Sequence, residues 1–170
     1  MRLIPVLSEK EILAKMQKVA VSVEEDFSKE PFIMVVVLKG AICFAADLLR
    51  FFSPQRCRLE VIKASRYKGT KAGELLVFGW EDLEITGCNV LLVDDIFDEG
   101  ITLQHIYRHL LAKQPKQLRS LVLLKKNIER KVSYEPDWSL FEVGEGFVVG
   151  YGLDYQELYR ELRGIYRLER

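Results

Sequence analysis

The sequence predicts an α/β fold in which helices flank a mainly parallel central sheet. Runs 32–38 and 90–93 are apolar at every position, and run 118–124 is mostly so. Such runs suit strands buried on both faces, where a half-exposed strand would alternate. Between them lie stretches whose apolar residues recur at helical spacing. Strands that alternate with helices in this way build parallel sheets.

In chain order, Ser8 followed three residues later by Glu11 forms a capping box. Ile12, Leu13, Met16, Val19, Ala20 and Val23 then recur at helical spacing, predicting an amphipathic first helix. Pro31 introduces the first central strand, which ends in Lys39-Gly40-Ala41, and Ile42, Phe44, Ala45, Leu48 and Leu49 continue as a helix. Residues 58–64 alternate enough for a strand, and 75–78 resume strand character beyond a polar, basic, glycine-bearing stretch at 65–73. The expectation is a hairpin with a long flexible tip. A turn at 81–87 leads into an acidic strand from Asn89, and Leu103, Ile106, Tyr107, Leu110 and Leu111 mark the next helix. Pro115 ends that helix, 118–124 gives another strand, and a mixed polar stretch runs from Lys125-Lys126 to Asp137-Trp138. Residues 147–155 read as a short strand, a glycine-rich turn and an aromatic cluster; the basic tail, with Leu158, Tyr159 and Leu162, is expected to be helical. With no repeat or linker, a single domain over residues 1–170 is expected.

Composition narrows the function. The chain is 49% hydrophobic and carries 25 basic against 25 acidic residues, an ordinary globular balance without the basic excess of nucleic-acid binders. No apolar run approaches a membrane span, and Met1-Arg2-Leu3-Ile4-Pro5 lacks a signal peptide's apolar core, so the expected location is cytoplasmic. Cys43, Cys57 and Cys88 are odd in number and form no Cys-x-x-Cys pair, which points to reduced, structural thiols. His105 and His109 have the spacing of a metal pair but lack a third ligand, so helix packing is the preferred reading.

The densest chemistry lies at 89–102, Asn-Val-Leu-Leu-Val-Asp-Asp-Ile-Phe-Asp-Glu-Gly-Ile-Thr. A buried strand delivers Asp94 and Asp95 to its C-terminal end, Asp98 follows in a tight turn with Gly100, and Thr102 opens a helical run. In open α/β sheets ligands bind outside the strands' carboxyl ends, against the next helix N-terminus, where free N–H groups and a positive dipole end favour phosphate. Carboxylates there would repel a phosphate. They are candidates to accept hydrogen bonds from sugar hydroxyls, hold a metal ion or take a proton. At the end of the first strand, Lys39 and Gly40 suggest a second anion site built partly from backbone. The 65–73 stretch suits a lid that excludes water.

The acidic motif resembles the phosphoribosyl-pyrophosphate (PRPP) motif of type I phosphoribosyltransferases. The Leu38-Lys39-Gly40-Ala41 turn resembles the pyrophosphate loop of the purine enzymes, in which a cis peptide would fall at Leu38-Lys39. Phe147-Val-Val-Gly-Tyr-Gly-Leu-Asp-Tyr155 followed by Tyr159-Arg160 is similar to the C-terminal signature of hypoxanthine-guanine phosphoribosyltransferases. The three occur in the family's order across most of the chain. The resemblance implies the type I phosphoribosyltransferase fold, with a small hood from the termini and a flexible hairpin lid.

It also implies roles. Asp94 and Asp95 would accept hydrogen bonds from the ribose 2′ and 3′ hydroxyls. Asp98 would stand near the purine N7 as the catalytic base, and Asp98, Glu99, Gly100, Ile101 and Thr102 would hold the 5′-phosphate. Lys39, Gly40 and Arg160 would face pyrophosphate. Lys126, preferred over Lys125 on its spacing to Phe147, would donate to the 6-oxo group of a purine stacked on Phe147. Backbone near Val148 and Asp154 would read the base's other edge. Ser65, Arg66 and Tyr67 would open the lid, although the family's lid usually starts Ser-Tyr. Mg2+ would be bound mostly by PRPP oxygens and water, with Asp154 as protein ligand, and the assembly would be a homodimer or homotetramer.

The implied reaction is transfer of phosphoribosyl from PRPP to N9 of hypoxanthine or guanine, giving IMP or GMP and pyrophosphate. Two readings stand beside it: a xanthine-preferring enzyme, and a non-catalytic sensor of PRPP or nucleotides on the same fold. Glu99 departs from the family's common Thr, and Ile101 from Lys or Arg. The expectation is that backbone groups suffice there, with Glu99 turned away. The tail, Leu162-Arg-Gly-Ile-Tyr166, also departs from the commoner Leu-Pro-Tyr-Ile ending.

Overall fold

The computed structural model describes residues 1–66 and 75–169, with Arg66 described for its backbone only. In order, the elements are β1 (Arg2–Leu7), α1 (Glu9–Asp26), β2 (Phe32–Leu38), α2 (Ile42–Leu49), β3 (Cys57–Arg66), β4 (Leu75–Phe78), β5 (Asn89–Phe97), α3 (Ile101–Ala112), β6 (Gln117–Lys126), β7 (Trp138–Val143), β8 (Phe147–Val149) and β9 (Ile165–Glu169).

Two sheets form. The larger has the order β4-β3-β2-β5-β6-β7, parallel throughout except where β3 meets β4. The chain steps outward from β2 to β3 on one side, and from β5 through β6 to β7 on the other. The order therefore reverses between β2 and β5, and their crossovers leave a crevice at the carboxyl ends. The smaller sheet, β1-β9-β8, is antiparallel and ties the two termini together, with Arg2 opposite Glu169 and Phe147 opposite Leu168. It is the hood expected from the resemblance.

The all-apolar strands follow from a sheet covered on both sides. Phe32, Met34 and Val36 of β2, with Leu91 and Val93 of β5, pack against α1, α2 and the hood. Their neighbours Ile33, Val35, Val37, Val90 and Leu92 pack on the other face with α3. The capping box of α1 is formed, with the Glu11 N–H donating to Ser8 Oγ at 3.3 Å and the Ser8 N–H to Glu11 Oε2 at 2.8 Å. Such a cap contributes about 1 kcal/mol. The hairpin is formed by β3 and β4, up to the pair Arg66 and Leu75. Its tip, with Tyr67, lies outside the described residues.

Three elements differ from expectation. The tail is not helical but a chain of turns ending in β9. Gln156, Glu157 and Tyr159 have positive φ angles of 53°, 66° and 76°, incompatible with a right-handed helix. The Tyr151 and Gly152 N–H groups donate to Leu162 and Arg160 carbonyls at 2.8 and 3.0 Å, so tail carbonyls serve the loop before them. Strands β1 and β7 were not expected: Pro5 stands within the apolar residues of β1, Ser139 and Glu142 interrupt β7, and both strands lie at sheet edges, where such residues are tolerated. Among the described residues, no helix is long and apolar enough to cross a membrane.

Candidate active site

The crevice between β2 and β5 is a cleft of about 740 Å³ whose walls come from the ends of β2, β3 and β5, the start of α3 and the tail. At the end of β2 the Leu38–Lys39 peptide is cis, and Lys39 and Gly40 line the cleft. β5 continues past its apolar core, carrying Asp94 and Asp95 to the rim before the chain turns at Asp98 and Glu99.

Gly100 caps α3 with φ of 82°. A Cβ there would lie 2.7 Å from both Phe97 Cε2 and Val132 Cγ2, so glycine meets the dihedral and the space together. The first intrahelical bond runs from the Gln104 N–H to the Gly100 carbonyl at 3.0 Å. The amides before Gln104 are thus left for an outside acceptor. No acidic side chain stands in the first turn of α3 to compete for that role, which suits a phosphate.

Asp94 is buried and Asp95 partly buried where β5 ends. The Asp95 N–H donates to Asp94 Oδ1 at 2.9 Å, and the Ile96 N–H to Asp95 Oδ1 at 2.8 Å. Burial pushes the Asp94 carboxyl well above its ordinary value, and the neighbouring Asp95 charge adds to the rise. Burial also raises Asp95, opposed by its hydrogen bonds to Asp94 and Ile96 and by the Arg160 charge. Two carboxyl groups side by side suit two adjacent sugar hydroxyls.

Facing the pair is a cluster of opposite charges. Lys39 Nζ lies 2.7 Å from Glu157 Oε2, and Arg160 reaches Glu157 Oε1 at 3.3 Å and Asp154 Oδ1 at 2.8 Å. Asp154 Oδ2 also accepts the Glu157 N–H at 2.8 Å. The Glu157 carboxyl is held below its ordinary value, first by its hydrogen bond with Lys39 and then by Arg160. Glu157 was not expected at the site. It had no distinguishing signal among the alternating charges of a tail read as helix.

Near the acidic turn the two neighbouring lysines have different partners. Lys126 Nζ lies 2.7 Å from Asp98 Oδ2, whereas Lys125 Nζ pairs with Glu135 Oε2 at 2.7 Å. Adjacent strand residues point to opposite faces, and only Lys126 meets the acidic turn. Phe147 is half-exposed and set edge-on to Tyr155, their centroids 5.5 Å apart, while Val148 is buried. Lys126, Phe147 and Val148 flank the cleft rather than line it; Glu99, Ile101, Thr102 and Ser65 do line it. Arg130, which was also missed, reaches the carbonyls of Phe97 and Asp98 behind the acidic turn. The two histidines are away from the cleft: His109 stacks on Trp80 with centroids 3.7 Å apart, and His105 is tilted against the same ring.

Comparison with known proteins gives one consistent result. The profile of the family described as phosphoribosyl transferase domain matches residues 6–156. A hypoxanthine-guanine phosphoribosyltransferase of Aquifex aeolicus is 41% identical, the alignment covering 96% of this chain and 93% of that one. A Bacillus subtilis protein of the same name is 32% identical, over 92% and 87%. Among solved structures, the hypoxanthine phosphoribosyltransferase of Trypanosoma cruzi in complex with the product IMP superposes with a TM-score of 0.89. It is 33% identical, with 97% of this chain and 93% of that one covered. A Bacillus anthracis hypoxanthine-guanine phosphoribosyltransferase reaches a TM-score of 0.87 at 36% identity, over 96% and 95%.

Proposed function

The chain belongs to the hypoxanthine-guanine phosphoribosyltransferases, and from that membership we propose that its cleft transfers the 5-phosphoribosyl group of PRPP to N9 of hypoxanthine or guanine. The observation that carries the proposal is the pairing of Lys126 with Asp98 at 2.7 Å, beside the adjacent carboxyls of Asp94 and Asp95 and a helix N-terminus whose N-cap Gly100 offers no side-chain cap. A free 6-oxopurine in its N7–H tautomer presents an acceptor, O6, beside a donor, N7–H, on one edge. Lys126 donates to O6, and Asp98 faces N7. Adenine, with a 6-amino donor, would meet a second donor in Lys126.

In this reading the backbone and the Thr102 hydroxyl at the start of α3 bind the 5′-phosphate, with Glu99, Gly100 and Ile101 shaping the loop. Asp94 and Asp95 hold the ribose hydroxyls. Lys39, the Gly40 backbone and Arg160 bind pyrophosphate, for which Lys39 and Arg160 must exchange Glu157. The bond from ribose C1 to pyrophosphate breaks as the N9–C1 bond forms. Asp98 accepts the proton that the purine loses at N7. Phe147 supplies the stacking face, and backbone at Val148 and Asp154 reads the far edge. Ser65 and Arg66 lead into the lid; Tyr67 belongs to the same proposal. Holding both reactants together supplies much of the rate.

Mg2+ fits as an ion carried by the substrate. Among the described residues no group of three potential ligands gathers, while Asp154 lines the cleft with one carboxylate. One carboxylate with phosphate oxygens and water is the usual magnesium set. When bound, the ion neutralises departing pyrophosphate charge. We extend the proposal to a cytoplasmic homodimer or homotetramer, which sedimentation of the purified protein and fractionation of its host would test.

The experiment is a spectrophotometric assay with PRPP, magnesium and hypoxanthine, guanine, xanthine or adenine in turn, beside Asp98→Asn. Nucleotide formation from hypoxanthine and guanine, with adenine inert and the variant weakened by about 100-fold or more, is expected. A preference for xanthine would shift the substrate. PRPP binding without turnover on any base would point to a sensor instead.

A further inference from the structure

Arg130 stands four residues beyond Lys126, in the loop between β6 and β7. Its side chain is only 8% exposed, and its guanidinium lies 4.5 Å over the Phe97 ring. Nε donates to the Asp98 carbonyl at 2.7 Å and Nη2 to the Phe97 carbonyl at 3.3 Å. On the other side Nη2 also donates to the Lys126 carbonyl, and Nη1 to that of Ile128 at 3.4 Å. The only carboxylate within 4 Å among the described residues is Glu135, at 3.9 Å from Nη1, and Glu135 is itself held by Lys125 at 2.7 Å. This buried cation is thus satisfied mainly by backbone carbonyls from two separate strand ends.

Those ends carry Asp98 and Lys126. The β5–β6 ladder stops at the pair Phe97 and Lys125, one residue short of both side chains. Beyond that point the sheet no longer fixes their separation, and the rigid fork of Arg130 spans the opening. A purine edge demands a fixed separation, since O6 and N7 are set by the ring. A guanidinium, planar with five donors spread over three nitrogens in fixed directions, can hold carbonyls on both sides of it in one frame; a lysine ammonium offers three donors from a single rotatable nitrogen and spans less.

We propose that Arg130 is a positioning residue for the transfer reaction: it locks the Asp98 turn to the end of β6, so that Asp98 and Lys126 meet the N7/O6 edge of a 6-oxopurine together. The proposal rests on the 6-oxopurine reading above. Arg130 touches no substrate and acts through the two backbones.

The test compares Arg130→Met and Arg130→Lys with the parent protein, alone and combined with Lys126→Met, by steady-state kinetics with PRPP, magnesium and hypoxanthine and by thermal melting. For Arg130→Met, kcat/KM for hypoxanthine should fall about 100-fold, the cost of a misplacement near 1 Å, and Arg130→Lys should recover less than about tenfold of it. Because Arg130 is argued to set the separation of Asp98 and Lys126, its loss should cost less once Lys126 is gone: the Arg130→Met/Lys126→Met double variant should lose less than about tenfold beyond Lys126→Met alone, against about 100-fold in the parent background. A merely structural arginine would give losses that multiply, and that result overturns the proposal, as does full recovery by lysine. Should Arg130→Met fail to fold, Arg130→Lys decides: parental kinetics refute positioning, and a loss of about tenfold or more at an unchanged melting temperature supports it. A parent protein that turns over no 6-oxopurine would overturn the functional reading itself, and the positioning role with it.

Discussion

A Cβ built on Gly40 would stand 1.8 Å from Asp95 Oδ2. The Lys39-Gly40 loop and the Asp95 carboxylate therefore share one contact surface, and position 40 must lack a side chain for Asp95 to keep its place. Gly40→Ala should displace the Asp95 carboxylate, which is anchored at Oδ1 by the Ile96 N–H, and lower kcat/KM for PRPP by about 100-fold. Overpacking at this contact should also lower stability by roughly 1–3 kcal/mol. Kinetics and denaturant unfolding read both; parental kinetics would mean that Asp95 is not needed where it stands.

Glu157 bridges Lys39 and Arg160, the cations assigned to pyrophosphate. It competes with the anion it resembles, so neutralising it should ease binding. For Glu157→Gln, affinity for pyrophosphate and PRPP should rise roughly threefold to tenfold at low salt, with a smaller gain at high salt. Calorimetric titration at two ionic strengths measures this. Weaker binding would assign Glu157 to holding the cations in place instead.

Asp94 gives a pH dependence with a definite sign. Its carboxyl is raised well above its ordinary value of 3.8, mainly by burial. Between that value and the raised one the folded chain binds more protons than the unfolded chain. The stability tied to Asp94 is therefore fully present at low pH and is lost as pH rises through its folded pKa. Asp94→Asn should raise the neutral-pH melting temperature of the ligand-free protein, by roughly 2–4 °C for each kcal/mol of burial cost relieved. The gain should shrink towards pH 4, and PRPP affinity should fall. Melting curves across this pH range decide; a variant less stable than the parent at pH 7 would contradict it.

Glu99 and Ile101 line the cleft, and both are exposed. If the backbone at the start of α3 carries the phosphate, Glu99→Thr should change PRPP affinity by less than about threefold. Equilibrium binding of PRPP to parent and variant measures this. A tenfold gain would mean that the hydroxyl, not the backbone alone, sets affinity.

Much of the design was legible before any coordinates. The strand runs at 32–38 and 90–93 reveal themselves because a sheet covered on both faces tolerates no polar position there. Asp94, Asp95, Asp98, Gly100 and Lys39 are adjacent to those runs, so locating the strands also located them at the carboxyl ends. The edge strands β1 and β7 were harder to see because an edge tolerates interruptions: Pro5 in one, Ser139 and Glu142 in the other. The tail was misread because Leu158, Tyr159 and Leu162 have helical spacing, whereas positive φ angles at Gln156, Glu157 and Tyr159 come from long-range bonds that spacing does not encode.

The sequence alone determined which strands are central, where their carboxyl ends lie and which charged residues stand there, because burial and turn chemistry act on neighbours in the chain. Only the tertiary structure decided which distant charges meet: Lys126 with Asp98 rather than Lys125, Glu157 with Lys39, and Arg130 with two strand ends. Pairing across 28 or 118 positions depends on strand order and sheet register. These are collective properties of the packed sheet, and no local pattern of side chains contains them.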